Sequence, residues 1–166
     1  MTLPFRTLVL LASLGSALLL ASAFLFQSLG YLPCAMCLWQ RWPHAAAVVI
    51  GLATYVFLPF RWMAALGGLA ALSTAGIGIF HTGVERDWWE GPASCTGSGG
   101  LSGLEGGALL PGAADAGPRL IMCDQVSWEL MGLSMPSWNA LFSLILAVLW
   151  FTAAARGPAS AAPARR

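Results

Sequence analysis

Four long apolar runs constrain the fold of this chain more than any other feature of its sequence. A helix that crosses a bilayer needs about 20 mostly apolar residues, and runs of about that length occupy residues 7–29, 43–60, 62–81 and 137–155. Of the 166 residues, 58% are hydrophobic and only 9% are charged, whereas soluble domains carry about 25% charged residues. The sequence therefore predicts an all-α membrane protein, a single domain folded as a four-transmembrane-helix bundle.

The segment between the third and fourth runs has a different character. Residues 82–136 are rich in glycine and contain all seven acidic residues of the chain. Such a segment cannot lie in hydrocarbon, so we expect a long loop outside the bilayer. The last residues, 156–166, are expected to form a short tail.

The distribution of arginines predicts the orientation of the bundle. Four spans place both termini on one side, and the chain has no lysine. The terminal side would hold five arginines: Arg6, Arg61, Arg156, Arg165 and Arg166. The other side would hold three, Arg41, Arg86 and Arg119, together with every acidic residue. The positive-inside bias then puts both termini in the cytoplasm and the long loop outside.

A cleavable signal peptide is the alternative for the first run, because residues 1–23 end in Ala-Ser-Ala. The apolar stretch continues through Phe26, however, and cleavage would leave three spans and disturb the arginine balance.

The four cysteines all fall on the predicted outer side. They are Cys34, Cys37, Cys95 and Cys123. An even number of cysteines in an oxidising compartment suggests disulfides, and the natural pairs are Cys34–Cys37 and Cys95–Cys123. A purely structural bond remains open for the second pair, because it closes a long loop. Zinc ligation is disfavoured because 57 residues separate Cys37 from Cys95.

The first pair has the spacing of an exchanging dithiol. Residues i and i+3 share a helix face, and a disulfide over two intervening residues restrains the unfolded chain very little. Pro33 is expected in the first helical turn, which would place both thiols at the positive end of the helix dipole and favour a thiolate. Arg41 lies on the same face, where it could stabilise that thiolate or hold an oxygen of an electron acceptor. The alternative for Arg41 is a side chain that snorkels to lipid headgroups.

A dithiol that turns over needs an electron acceptor. The sequence has no CxxCH haem motif, flavin fingerprint or iron–sulfur spacing, so a quinone dissolved in the bilayer is the simplest acceptor. No basic run or RNA-binding motif is present, which argues against a nucleic acid partner.

Several motifs together resemble one known family. They are CAMCLWQR at residues 34–41, HTGVE at 81–85, WWEGPASC at 88–95 and GLSMPSW at 132–138. The chain resembles disulfide bond formation protein B, a family of bacterial inner-membrane thiol:quinone oxidoreductases that keep the periplasm oxidising. The resemblance implies that the long loop is periplasmic.

The resemblance also implies roles for individual residues. The Cys95–Cys123 disulfide would oxidise a DsbA-like periplasmic thioredoxin-fold protein, and Cys34–Cys37 would reoxidise the loop pair and reduce ubiquinone or menaquinone, with no metal involved. Cys37 matches the cysteine that faces the quinone as a thiolate. Arg41 and His81 match residues linked to quinone binding, although His81 could also be an ordinary histidine at an interfacial helix end.

Smaller expectations concern the remaining polar residues and the loop. We expect His44 to lie at the membrane interface and Glu85 to be a polar neighbour of the site. Leucines between Leu101 and Leu110 could form a short apolar face, but nearby glycines oppose a stable helix. The segment Val126–Trp138 is expected to rest on lipid or to form a docking surface for the partner.

Two other functions remain open. A protein similar to the vitamin K epoxide reductase family would also have a bundle, a CxxC and a loop pair, but there the CxxC follows the loop pair. A membrane scaffold with two structural disulfides is the non-enzymatic alternative.

Overall fold

Four long helices form a bundle in the computed structural model, which describes residues 3–92, 95 and 122–158. The helices are α1 (Phe5–Ser28), α2 (Ala35–Val56), α3 (Arg61–Glu85) and α4 (Met135–Arg156). Each helix packs against the next of the four, and α1 also packs against α4, which closes the bundle. The all-helical architecture expected from the apolar runs is therefore confirmed.

Three of these helices, α1, α3 and α4, are long and apolar enough to cross a membrane. Helix α2 has 22 residues, but it is less apolar than the other three and does not meet the same criterion. The sequence predicted a span at residues 43–60, whereas α2 begins eight residues earlier and ends at Val56. Its first turns therefore include polar residues such as Gln40 and Arg41, and its role as a fourth span stays a prediction.

Cys34 determines where α2 begins. It is the N-cap residue, with an extended backbone, and its Sγ accepts a hydrogen bond of 3.1 Å from the backbone N–H of Cys37. Pro33 therefore precedes the helix and does not lie in its first turn as predicted. Pro43 lies inside the helix, where it cannot donate the usual backbone hydrogen bond.

Small residues allow close packing in the interior of the bundle. The fully buried Trp150 of α4 lies against Gly67 of α3, where a Cβ atom would come within 2.7 Å of the indole ring. Leu8, Val9 and Ala147 belong to the same buried cluster. Large apolar side chains such as Leu18 and Val49 are exposed on the outside, as expected for helices that contact lipid.

The two ends of the bundle differ. At one end, the Arg61 and Arg156 side chains donate to backbone carbonyls of Ala154 and Leu3, at 2.8 and 2.7 Å. At the other end lie the start of α2, the end of α3 and a short antiparallel hairpin, which the sequence did not predict.

The hairpin leads directly into α4. Its strands are β1 (Glu129–Leu130) and β2 (Leu133–Ser134), and its turn residues Met131 and Gly132 both have positive φ angles, 55° and 76°. Such angles suit the tight turns that match strand twist. The segment Val126–Trp138 therefore holds this hairpin and the first turn of α4, and the leucines between Leu101 and Leu110 lie outside the described residues.

Candidate functional site

The four cysteines meet at the hairpin end of the bundle. Cys34, Cys95 and Cys123 belong to one buried cluster, and Cys37 packs against it. Cys95 and Cys123 are joined by a disulfide, whereas Cys34 and Cys37 are free thiols whose Sγ atoms lie 2.7 Å apart. The structure thus brings together the pairs expected from the sequence, with one pair oxidised and the other reduced.

The two pairs are also close to each other. The Sγ atoms of Cys34 and Cys123 and a ring nitrogen of His81 all lie within 4.8 Å of one another. The backbone N–H of Cys123 donates to the carbonyl of Cys95 at 2.6 Å, which holds the loop pair in place. Cys34, His81 and Cys123 are residue types that bind metal ions, but the sulfur of Cys123 is in a disulfide and is not a free thiolate.

The two thiols of the reduced pair differ electrostatically. Both thiols lie outside the predicted membrane span, which begins at residue 43. A hydrogen bond with Cys34 lowers the pKa of Cys37, although burial opposes this, and the positive charge of Arg41 lowers it further. The same hydrogen bond, together with burial, raises the pKa of Cys34. These opposite shifts favour a proton on Cys34 and a thiolate on Cys37.

His81 lies against Cys34 and is only 2% exposed. Gln40 Nε2 donates to the carbonyl of Met36 and lies 3.2 Å from His81 Nδ1, so Nδ1 is the acceptor. The proton of the uncharged ring is then on Nε2, which lies 3.4 Å from Cys34 Sγ. His81 is thus buried between the cysteine pairs and is not an interfacial helix-end histidine.

Glu85 lies one turn after His81. Its carboxylate is 3.9 Å from His81 Nε2 and accepts a hydrogen bond from the Ser134 hydroxyl of β2. This agrees with its expected place as a polar neighbour of the site, and it ties α3 to the hairpin.

Arg41 lies against α1. Its Nη1 donates to Gln27 Oε1 at 2.8 Å, and its guanidinium lies 4.7 Å from the ring centroid of Phe24. Its Nε is buried and has no hydrogen-bond partner among the described residues. A donor is therefore left free beside the cysteine pair.

A cavity of about 430 Å³ opens beside Cys37, between α1, α2, α4 and the hairpin. Its walls include the apolar side chains of Leu19, Phe26, Trp128, Met135 and Phe142. Its polar lining comprises Ser22, Cys37, Gln40, Arg41, His44 and Asn139. His81 does not line this cavity. It lines a smaller one of about 60 Å³, together with Cys34, Cys37, Arg41 and Glu85.

The sequence did not predict the polar network beside the cavity. Asn139 Nδ2 donates to Gln40 Oε1 at 2.6 Å and to Thr74 Oγ1 at 3.1 Å, and Asn139 Oδ1 lies 2.8 Å from His44 Nε2. The expectation that His44 is interfacial is wrong, because the side chain is only 3% exposed. The available signal was the one-turn spacing of Gln40 and His44 on the helix that carries the CxxC.

Comparisons with known proteins identify relatives of the chain. The family model described as disulfide bond formation protein DsbB matches residues 5–153. The protein named disulfide bond formation protein B from Methylococcus capsulatus is 36% identical over 152 residues, which cover 83% of this chain and 87% of the relative. The protein of the same name from Herminiimonas arsenicoxydans is 31% identical over 150 residues, covering 86% and 90%. The one from Verminephrobacter eiseniae is 31% identical over 161 residues, covering 93% and 88%. No solved structure matches the chain.

Proposed function

We propose that this chain, which belongs to the family of disulfide bond formation protein B, reoxidises a DsbA-like thioredoxin-fold protein of the bacterial periplasm. It passes the electrons to ubiquinone or menaquinone in the inner membrane. The observation that carries the proposal is the contact between the two cysteine pairs, with Cys37 also lining the larger cavity.

The loop pair acts first. A thiolate of the partner attacks the Cys95–Cys123 disulfide, and the partner's second thiol then completes its own disulfide. Two electrons and two protons thereby pass from the partner to Cys95 and Cys123. The loop pair is now reduced and the partner is oxidised.

The second step passes the electrons to the CxxC. When Cys34 and Cys37 form a disulfide, Cys123 attacks Cys34 and releases Cys37. The proximity of Cys34 and Cys123 supports this order. A thiol with a low pKa leaves faster, and the lowered pKa of Cys37 makes it the better leaving group. Cys95 then attacks Cys123, which reforms the loop disulfide and leaves Cys34 and Cys37 reduced. The Nε2–H of His81 faces the sulfur of Cys34 and steadies it as charge develops.

The cavity fits the head of a quinone. Its volume is within the range of small-molecule sites, about 300–1,000 Å³, and its walls are apolar with few polar groups. The buried and unpartnered Nε of Arg41 would donate to a quinone oxygen. When bound, the quinone supplies a two-electron sink beside Cys37.

The test uses the purified chain in detergent with a reduced DsbA-like protein and a short-tailed quinone. The chain should oxidise the partner only when quinone is present. Cys95→Ser and Cys123→Ser should abolish partner oxidation, whereas quinone reduction driven by dithiothreitol through Cys34 and Cys37 should partly survive. Partner oxidation that persists without a loop cysteine would refute the relay. Quinone-independent oxidation would refute the acceptor.

A further inference from the structure

The polar network beside the cavity leaves one acceptor unsatisfied, the Nδ1 atom of His44. This atom is buried and has no hydrogen-bond partner among the described residues. His44 lines the cavity, as does Arg41, whose Nε is a buried donor without a partner. The two residues are three positions apart on α2, so they share a helix face.

The network determines which nitrogen of His44 carries the proton. Because Gln40 Nε2 donates to the carbonyl of Met36, Gln40 Oε1 is the atom that accepts from Asn139 Nδ2. The other end of the Asn139 amide, Oδ1, can then only accept, and it does so from His44 Nε2 at 2.8 Å. An uncharged imidazole carries one proton, so Nδ1 presents a lone pair.

The surroundings of His44 favour the uncharged ring. Its described hydrogen-bond partner is a neutral amide, and the other members of the network, Gln40, Thr74 and Ser143, are neutral as well. A buried charge without a counter-charge is costly. Each of the two residues lines the cavity and holds one buried polar atom without a partner among the described residues, an acceptor in His44 and a donor in Arg41.

We propose that His44 Nδ1 accepts a hydrogen bond from a hydroxyl of the hydroquinone product, so that the cavity binds the reduced acceptor more tightly than the quinone. This inference rests on the proposed function. The oxygens of a quinone only accept hydrogen bonds and can satisfy Arg41 alone. A hydroquinone hydroxyl donates, so the reduced form satisfies both Arg41 and His44.

The preference would assist electron transfer out of the CxxC. Oxidation of the Cys34 thiol and the Cys37 thiolate to a disulfide releases two electrons and one proton. Formation of the hydroquinone consumes two electrons and two protons, so one further proton enters from water. By linkage, tighter binding of the reduced form favours reduction, and a tenfold preference corresponds to about 30 mV for a two-electron couple.

Binding measurements test the preference without relying on turnover. The chain is first oxidised so that both cysteine pairs are disulfides and cannot reduce the probe. Decylubiquinone and its hydroquinone are then titrated separately under anaerobic conditions, with fluorescence of Trp128 and Trp138 in the cavity wall as the readout. One neutral hydrogen bond predicts that the hydroquinone binds about 5- to 10-fold more tightly.

Two variants of His44 isolate the acceptor. His44→Phe keeps the ring shape without nitrogen and should bring the two dissociation constants to within about twofold of each other. His44→Gln keeps an amide that can donate to Asn139 and still offers an acceptor oxygen, so it should retain part of the preference. The matched control is Ser73→Ala, which removes only an exposed hydroxyl that donates to the carbonyl of Leu69 within α3 and should leave the preference unchanged.

The possible results distinguish a failure of this inference from a failure of the proposed function. If the wild type binds both forms equally, or if His44→Phe keeps the preference of the wild type, the assignment of His44 is overturned while the proposed function stands. If the wild type binds neither form, the quinone cavity itself is refuted, and the inference with it.

Discussion

Cys37 is the residue that connects the buried cysteine cluster with the cavities. It lines both cavities and packs against the buried cysteine cluster. Its hydrogen bond with Cys34 outweighs the effect of burial and lowers the pKa of Cys37. A lowered pKa favours the thiolate, which is the nucleophilic form of a cysteine.

The first prediction concerns the pH dependence of Cys37 alkylation. In a chain with Cys95→Ser and Cys123→Ser, the rate with iodoacetamide should rise at a pH below the ordinary cysteine pKa of about 8.5. Since Cys34 donates to the thiolate, Cys34→Ala should move this midpoint to higher pH, whereas Cys34→Ser retains a donor and should move it less. A midpoint that is the same with and without a donor at residue 34 would contradict the assignment.

A second prediction at this scale concerns Arg41. If its free Nε holds a quinone oxygen, Arg41→Ala removes a charge-assisted hydrogen bond of roughly 1.5–3 kcal/mol. The KM for quinone should then rise about 10- to 100-fold, while the cysteines still form their disulfides. Arg41→Lys should rescue only in part, because lysine lacks the planar fork.

Steady-state oxidation of the reduced partner at varied quinone concentration measures this effect. Arg61→Lys is the control, since Arg61 lies at the opposite end of the bundle. An unchanged KM and kcat in Arg41→Ala would remove Arg41 from the site.

At the scale of helices, glycines decide how closely α3 and α4 pack. Gly67 faces the indole of Trp150, and a Cβ atom there would lie 2.7 Å from the ring. Gly76, on the same helix, has nothing within 4 Å of its added Cβ. The two positions therefore differ in packing but share the same backbone structure.

This difference predicts opposite effects of one substitution. Gly67→Ala should lower the free energy of unfolding by about 1–3 kcal/mol through overpacking. Gly76→Ala should raise it by about 0.5–1 kcal/mol, because alanine loses less conformational entropy in a helix. Thermal unfolding in detergent gives both values. If the two variants melt at the same temperature, the close packing of Gly67 against Trp150 is wrong.

The sequence predicted elements better than it predicted their contacts. Apolar runs identified four helices because lipid-facing helices need continuous apolar length, and the family resemblance was confirmed by the match over residues 5–153. Pro33 was expected in the first turn of α2, but the helix begins at Ala35 because Cys34 serves as its N-cap. The polar network was missed because it joins distant positions: Gln40 and Asn139 are 99 residues apart in the chain. No local sequence pattern predicts such a contact.

At the scale of the whole molecule, the bundle separates two polar ends. The cysteine pairs, the hairpin and the acidic Glu85 lie at one end, and Arg61 and Arg156 bind helix-end carbonyls at the other. The positive-inside rule predicts that the arginine end faces the cytoplasm. The cysteines would then face the periplasm, the compartment of the proposed partner.

Cysteine labelling in intact cells tests this orientation. In a chain without its native cysteines, a single cysteine at Ala164 should react with an impermeant maleimide only after the membrane is permeabilised. A single cysteine at Met131, which is 86% exposed at the hairpin turn, should react without permeabilisation. The reverse pattern would overturn both the orientation and the redox compartment.

The central claim is that electrons cross between the pairs through Cys123 and Cys34, and disulfide mapping tests it most directly. A chain carrying Cys95→Ser and Cys37→Ser keeps only these two cysteines, whose Sγ atoms lie within 4.8 Å of each other. Under mild oxidation, mass spectrometry should find the peptide that links Cys34 to Cys123 in most molecules. The matched chain with Cys34→Ser and Cys123→Ser should form its remaining disulfide, between Cys37 and Cys95, more slowly. If Cys34 and Cys123 stay reduced, or form bonds only between molecules, the two pairs do not exchange directly and the account is contradicted.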